Sequence, residues 1–372
     1  MLKAQFQYFK NLDGLRFLCF LSVYSVHTFH VSNPEIKSNF FYRIIVDGLF
    51  TNGGLGVNFF FVLSGFLITY LLILEKQSSG SINIYHFWFK RVIRIWPLYF
   101  ACVFFGFIIF PYIKNHLGQT VSESADPKLY MLFLGNFDIL KNGWPDSTEL
   151  GVLWSVSIEE QFYLVWPILL YLIPIKKYWM IFIVVIVVSL IFRSLNDTKL
   201  DYYYHTLSCI SDMAVGGFGA WLIHVHKVKK LITDLSKSRI VFIYLFFIAL
   251  FIFREQILNQ FYFTRIIERL IISIFIILII LEQNYSANSF YKMGNFKWIS
   301  KLGLTTYGMY MLHIIAFLII TTVLKMLKVY DNTYVLVFVG PALGLVLTII
   351  MSKISFEFFE KPFLKLRKYI KN

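Results

Sequence analysis

An arginine and a histidine stand eleven residues apart in the apolar stretch LDGLRFLCFLSVYSVHTFH, positions 12–30 of a 372-residue chain. At 3.6 residues per turn, eleven residues come close to three full turns. Arg16 and His27 would then project from one helix face, about 16 Å apart along its axis. A guanidinium is a permanent cation suited to carboxylates and phosphates. An imidazole takes and gives a proton near neutral pH. The pair could therefore hold an anion at one point and do acid–base chemistry at another. Plainer readings stand beside this one. Arg16 could anchor a helix end by snorkelling, or pair with Asp13 one turn earlier, and His30 reads as interfacial. His27 lies inside the apolar run, where an ionisable group normally faces a polar interior and marks a functional path.

Four further stretches carry groups of the same kind. FWFKRVIRIWPLYF (87–100) places Arg91 and Arg94 three residues apart on one helix face, with Lys90 adjacent. Like charges at that spacing repel. A topology signal accounts for them, and so would an anionic ligand that relieves the repulsion. LWSVSIEEQFYLVWP (153–167) sets Glu159 and Glu160 in an aromatic, apolar context. Carboxylates there are costly unless paired, and one beside an imidazole fixes its tautomer and raises its basicity. NGGLGVNFFFVLSGFLITY (52–70) carries Ser64 and Gly65 mid-run, a pattern for close helix packing. LTTYGMYMLH (304–313) supplies Tyr310 and His313, the latter either structural or part of a site.

The elements that must position these groups are membrane helices. The chain is 58% hydrophobic and 15% charged, with 41 Phe and 23 Tyr, far more apolar than a soluble domain. Runs of about 20 apolar residues suit a bilayer core of ~30 Å. Ten such segments are predicted: 12–31, 55–74, 92–112, 151–173, 178–193, 207–224, 240–253, 267–283, 302–324 and 334–352. Every second loop is basic, which makes those loops cytoplasmic and puts both termini inside. The net charge of +14 is then a topology bias and not a nucleic-acid surface. The outer loop 113–150 contains KLYMLFLGNF (128–137), too short to cross, so residues near 128–140 are expected to be re-entrant or interfacial. The first apolar run is longer than a signal-peptide core and lacks a cleavage site, so it reads as a retained span. Cys19, Cys102 and Cys209 form no disulfide framework, and no metal-ligand spacing appears. The expectation is an all-α, polytopic, single membrane domain over residues 1–372.

Taken together, these stretches resemble the acyltransferase-three family of bacterial integral-membrane acyltransferases. LDGLRFLCFLSVYSVH is similar to its Arg–ten residues–His motif, GVNFFFVLSGFLIT to its second-span signature, and FKRVIRIWPLYF to its Arg-rich third-span entry. LWSVSIEEQFYLVWP resembles its Glu-x-x-Phe segment, and YGMYMLH and FEFFEKPF its closing elements. Two departures are visible: Asn58 where the family often has Asp, and Lys90 where Arg is common.

The resemblance implies a stand-alone member without a soluble C-terminal domain, multi-pass in the bacterial inner membrane. It implies transfer of an acyl group, usually acetyl, from acyl-CoA to a hydroxyl of an extracytoplasmic or lipid-linked glycan. Acyl-CoA is then a co-substrate, with no permanently bound cofactor, no metal and no nucleic-acid partner expected. Combined with the residue reading, Arg16, Lys90, Arg91 and Arg94 would hold the phosphates of acyl-CoA. His27 would be general base, oriented by Glu159 or Glu160, with Ser64, Tyr310 and His313 in support. A transporter or exporter of a glycan precursor is the competing reading of ten charged spans, although the repeated halves common in such proteins are not visible. A non-catalytic scaffold fits the intramembrane His and Glu least.

Overall fold

A computed structural model of the chain describes residues 8–29, 34–38, 51–196, 198–224, 226–258, 261–330, 332 and 334–369. Among the described residues every regular element is helical. Ten long helices carry the fold: α1 Lys10–Thr28, α2 Leu55–Ser79, α3 Ile84–Phe104, α4 Trp154–Leu172, α5 Tyr178–Leu195, α6 Thr206–His224, α7 Lys237–Leu258, α8 Tyr262–Tyr285, α9 Thr306–Met326 and α10 Gly340–Ile354. Each predicted span overlies one of them. The last two positions of the first span, including His30, lie outside the described residues.

Among the described residues, six stretches are long and apolar enough to cross a bilayer: Asn52–Ser79, Ile84–His116, Ile175–Leu195, Lys199–His224, Thr306–Met326 and Val335–Tyr369. The chain is a multi-pass membrane protein. The other four long helices hold ionisable residues within them, among these Asp13 and Arg16 in α1 and Glu159 and Glu160 in α4.

Local signals place the helix ends. Gly80, at φ 79°, closes α2, and the Asn83 side chain accepts from the His86 N–H to open α3. Lys76 Nζ donates to the carbonyls of Leu170, Tyr171 and Ile173 at 2.7, 2.9 and 2.7 Å. A cation thus sits on the negative end of α4. Near residues 128–140 the chain forms Pro127–Met131 and Gly135–Asn142, helices of five and eight residues. At 1.5 Å per residue, neither crosses a bilayer. The segment is packed inward: Asn136 is fully buried, accepts from Gln161 Nε2 at 2.9 Å, and donates to Thr206 Oγ1 at 3.0 Å.

Helices α2 and α6 touch backbone to backbone. A Cβ on Gly65 would lie 2.0 Å from the Met213 carbonyl oxygen, and one on Gly216 would lie 1.9 Å from that of Val62. Only glycine fits at either place, as in small-residue contacts between membrane helices. Beside this contact is a buried polar knot. Asp212 of α6 accepts from Arg269 Nη2 (2.6 Å) and Ser273 Oγ (2.9 Å) of α8, and from Asn58 Nδ2 (2.9 Å) of α2. The Asn58 departure gains a reason here: an amide can donate to Asp212, where a second carboxylate would repel it.

Candidate active site

One cavity of about 380 Å³ lies among α1, α2, α3, α4 and α9. Arg16, Arg91 and Arg94 open onto it, with Ser64 and Glu159 on its wall and Tyr310 beyond them. Its direction follows from α1 and α9. Gly303, just before α9, packs on the Asp13 backbone, whereas His313 further along α9 stacks on His27 and touches the rings of Phe20 and Tyr24 of α1. The two helices thus run parallel, and Tyr310 lies between the arginine level and the histidine level.

The three arginines converge from two helices. Arg16 Nη1 donates to Asp13 Oδ1 at 2.8 Å, and Asp13 also accepts from the Tyr8 hydroxyl. The pairing that the sequence allows is formed, and the same guanidinium still faces the cavity. Arg91 stacks over the rings of Phe87 and Tyr163, 5.3 Å from each centroid. Those rings hold it in place, and its Nε is buried without a partner. Arg94 is exposed. Lys90 is exposed too and does not line the cavity. It directly precedes Arg91, which turns its side chain about 100° round the helix from that of Arg91.

His27 Nδ1 lies 2.8 Å from His313 Nε2, and the rings stack with centroids 5.0 Å apart. His313 Nδ1 lies 2.7 Å from the carbonyl oxygen of Tyr310. A carbonyl only accepts, so His313 Nδ1 carries the proton and its Nε2 has a lone pair. His27 must then donate through Nδ1. Its Nε2 is left as the basic nitrogen. The bond to His313 survives protonation of His27, because Nδ1 remains a donor in the imidazolium.

This pair does not line the arginine cavity. Tyr310 stands between. Its ring lies 5.8 Å from that of His313 and 6.1 Å from Phe60, and its hydroxyl is 2.5 Å from Ser155 Oγ. On α1 the stripe between Arg16 and His27 is filled by Phe20 and Tyr24, so that face is occupied by rings.

The carboxylates fall elsewhere than expected. Glu159 Oε1 accepts from Ser64 Oγ at 2.7 Å, and Tyr163 OH donates to Ser64 at 3.2 Å. Glu160 Oε2 accepts from Trp96 Nε1 at 2.8 Å. Among the described residues neither touches His27; the orienting partner is His313. The reason is packing: α1 lays its histidine against α9, whereas α4 turns residues 159 and 160 toward α2 and α3. Ser64 is therefore a hydroxyl partner of Glu159, and Gly65 alone serves close packing.

Glu149, an acidic residue of the loop 113–150, carries no signal in the sequence that sets it apart. It lies in the short helix Thr148–Val152 beneath Tyr310, whose hydroxyl donates to the Val152 carbonyl at 3.2 Å. Glu149 is 1% exposed, and among the described residues its polar neighbour is the buried Cys102 thiol. Burial pushes its pKa up to about 8, so it is neutral at pH 7. The folded chain keeps this proton where the unfolded chain has lost it. Stability from this group is full below the ordinary carboxyl value and falls as pH rises through about 8. Glu149→Gln should flatten that fall, leaving the variant a few kcal/mol more stable than the parent at pH 8.5 (about 1.4 for each tenfold change in proton affinity). The two should be nearly equal at pH 4. Thermal melts in detergent across this range check it, and parallel pH profiles would contradict it.

Residues 9–354 match the acyltransferase-three family model, described as an acyltransferase domain. The chain is 25% identical over 375 residues to the peptidoglycan O-acetyltransferase OatA of Listeria monocytogenes, covering 96% of this chain and 56% of that protein. It is 26% identical over 391 residues to a putative O-acetyltransferase of Staphylococcus aureus strain COL, covering 96% and 58% respectively. A putative peptidoglycan O-acetyltransferase of Bacillus subtilis, YrhL, is 32% identical over 169 residues, 44% of this chain and 24% of the relative. No solved structure matches. The chain spans little more than half the length of the first two relatives, and nothing in these matches favours an exporter. With a single family model running over nearly all of its helices, the chain belongs to the acyltransferase-three family.

Proposed function

We propose that this chain is a membrane O-acyltransferase that moves an acyl group from acyl-CoA to a hydroxyl of a surface glycan. In this reading ten helices span a bacterial cell membrane with both termini inside. Acetyl is the group and peptidoglycan the first acceptor to try, because the relatives' names specify them. One observation carries the reading: a single cavity gathers three arginines and ends at Tyr310, one ring away from a histidine pair with a defined base.

Arg16, Arg91 and Arg94 take the phosphates of acyl-CoA, and the pantetheine arm follows the apolar wall of α2. Glu159, held by Ser64, offsets part of the guanidinium charge. Rotation of the Tyr310 ring away from Ser155 brings the thioester to His27. Nε2 of His27 removes the proton from the acceptor hydroxyl, and the oxygen attacks the thioester carbonyl. The carbon–sulfur bond breaks as the tetrahedral intermediate collapses. The thiolate takes the proton back from His27 and leaves as the free thiol. An acyl-imidazole on His27 is the variant with two transfers.

The dock is tested by equilibrium binding of acetyl-CoA to the chain in nanodiscs. Arg91→Ala or Arg94→Ala should each weaken binding by about 10- to 150-fold, the worth of one charged hydrogen-bonding group. The loss should grow at low ionic strength. Unchanged affinity in both variants would remove the phosphate site.

A further inference from the structure

A second recess, of about 280 Å³, lies away from the donor cavity, where the end of α5, the start of α8 and the short helix Lys199–Tyr204 meet. Arg193, Lys199 and Arg265 line it, with Tyr202, Tyr203 and Tyr262, and Glu268 is also on its wall, its charge taken by Arg254. Arg193 is 2% exposed. Its Nη1 makes two long bonds of 3.3 Å, to the Ser208 carbonyl and Ser211 Oγ, while among the described residues the buried Nε and Nη2 have no partner.

The neighbouring buried charges pair with one another. Arg254 meets Glu268, and Arg269 meets Asp212. Among the described residues, no carboxylate lies within ion-pair reach of Arg193. A guanidinium removed from water without a counter-charge is costly, and its fork fits a carboxylate or phosphate. The tyrosines around it are already fixed. Tyr203 OH accepts from Arg254 Nη2 at 2.7 Å, and Tyr202 OH donates to Glu268 at 3.1 Å. Their rings are therefore rigid walls.

From this recess a line of rings leads to the donor cavity. Tyr203 and Tyr204 are 6.3 Å apart, Tyr204 and Trp154 5.0 Å, and Trp154 and Phe61 6.0 Å. Phe61 lines the donor cavity itself. Aromatic faces are electron-rich and attract the C–H faces of sugar rings. In the ten-span topology, the end of α5 and the start of α8 lie on the outer side, where a surface glycan is found.

We propose that this recess binds the acidic group of the acceptor saccharide, a carboxylate or phosphate, at Arg193, on the side of the molecule from which packed rings run toward the donor cavity. The proposal rests on the acyl-transfer reading above. The phosphate of a lipid headgroup shares the chemistry, so the test separates the two sources.

The full chain is placed in nanodiscs of zwitterionic lipid without donor. Binding of a uronate-bearing oligosaccharide is compared with that of its neutral, carboxyl-reduced counterpart. The acidic form should bind at least tenfold more tightly, and Arg193→Gln should erase the difference. Lys199→Ala, on the exposed rim, should weaken acidic binding several-fold and leave the neutral ligand unaffected even if the Arg193 variant folds poorly. Adding anionic phospholipid should not compete. Equal affinities, indifference to both substitutions, or displacement by anionic lipid would each overturn the proposal. Acyl transfer is measured separately. Normal transfer with charge-blind binding sinks the recess alone; absent transfer with Arg193-dependent binding supports the recess and sinks the acyl-transfer reading.

Discussion

Alanine at position 27 should slow acyl transfer by about 10²–10⁴-fold, the usual worth of a positioned general base. The tautomer chain that starts at the Tyr310 carbonyl leaves His27 Nε2 with the only free lone pair of the two imidazoles. Donor affinity should not change, because His27 does not line the cavity that holds the arginines. His313→Ala should give a smaller loss, in kcat and not in KM, because it removes the group that holds the proton on Nδ1 of His27. Initial rates of CoA release with a glycan acceptor, beside acetyl-CoA binding, check both. A wild-type rate with alanine at 27 would take this residue out of the chemistry.

Asp212→Ala should cost about 3–5 kcal/mol of stability, the typical penalty for breaking a buried ion pair from one side. Arg269, 4% exposed, would keep its charge and lose its counter-charge, while Ser273 and Asn58 would lose their acceptor. These partners come from α2 and α8, so the loss loosens three helices together. The midpoint of SDS-induced unfolding should fall clearly for Asp212→Ala. It should fall less for Asp212→Asn, which keeps one acceptor oxygen. Equal midpoints for parent and alanine variant would show that the knot contributes nothing.

Much of this architecture can be read in the amino-acid order. Runs of about 20 apolar residues give the helices, because a bilayer core demands that length, and the packed, non-crossing segment near 128–140 follows from its shortness. The gathering of Arg16, Arg91 and Arg94 is also legible. Alternating basic loops put the start of α1 and the start of α3 at one membrane face. What orients His27 is not legible. The sequence points to Glu159 or Glu160, and only the packing of α1 on α9 brings His313 to His27 instead. The knot at Asp212 escaped for a different reason. A charge inside LSCISDMAVGG gives no sign of which other helix supplies its partner, and Arg269 lies 57 residues away. Tyr310 reads as an aromatic on an apolar helix until its hydroxyl is seen against Ser155.

Tyr310 carries two duties on separate bonds. Its ring blocks the passage, while its main-chain oxygen, fixed by the helix, steadies His313. A side chain can swing about its first torsion without moving its own carbonyl. In the proposed mechanism, admission of the thioester would therefore not misalign the base. A door that turns on one hinge would also limit leakage: between turnovers, water would meet a closed ring, and the donor would be spared wasteful hydrolysis.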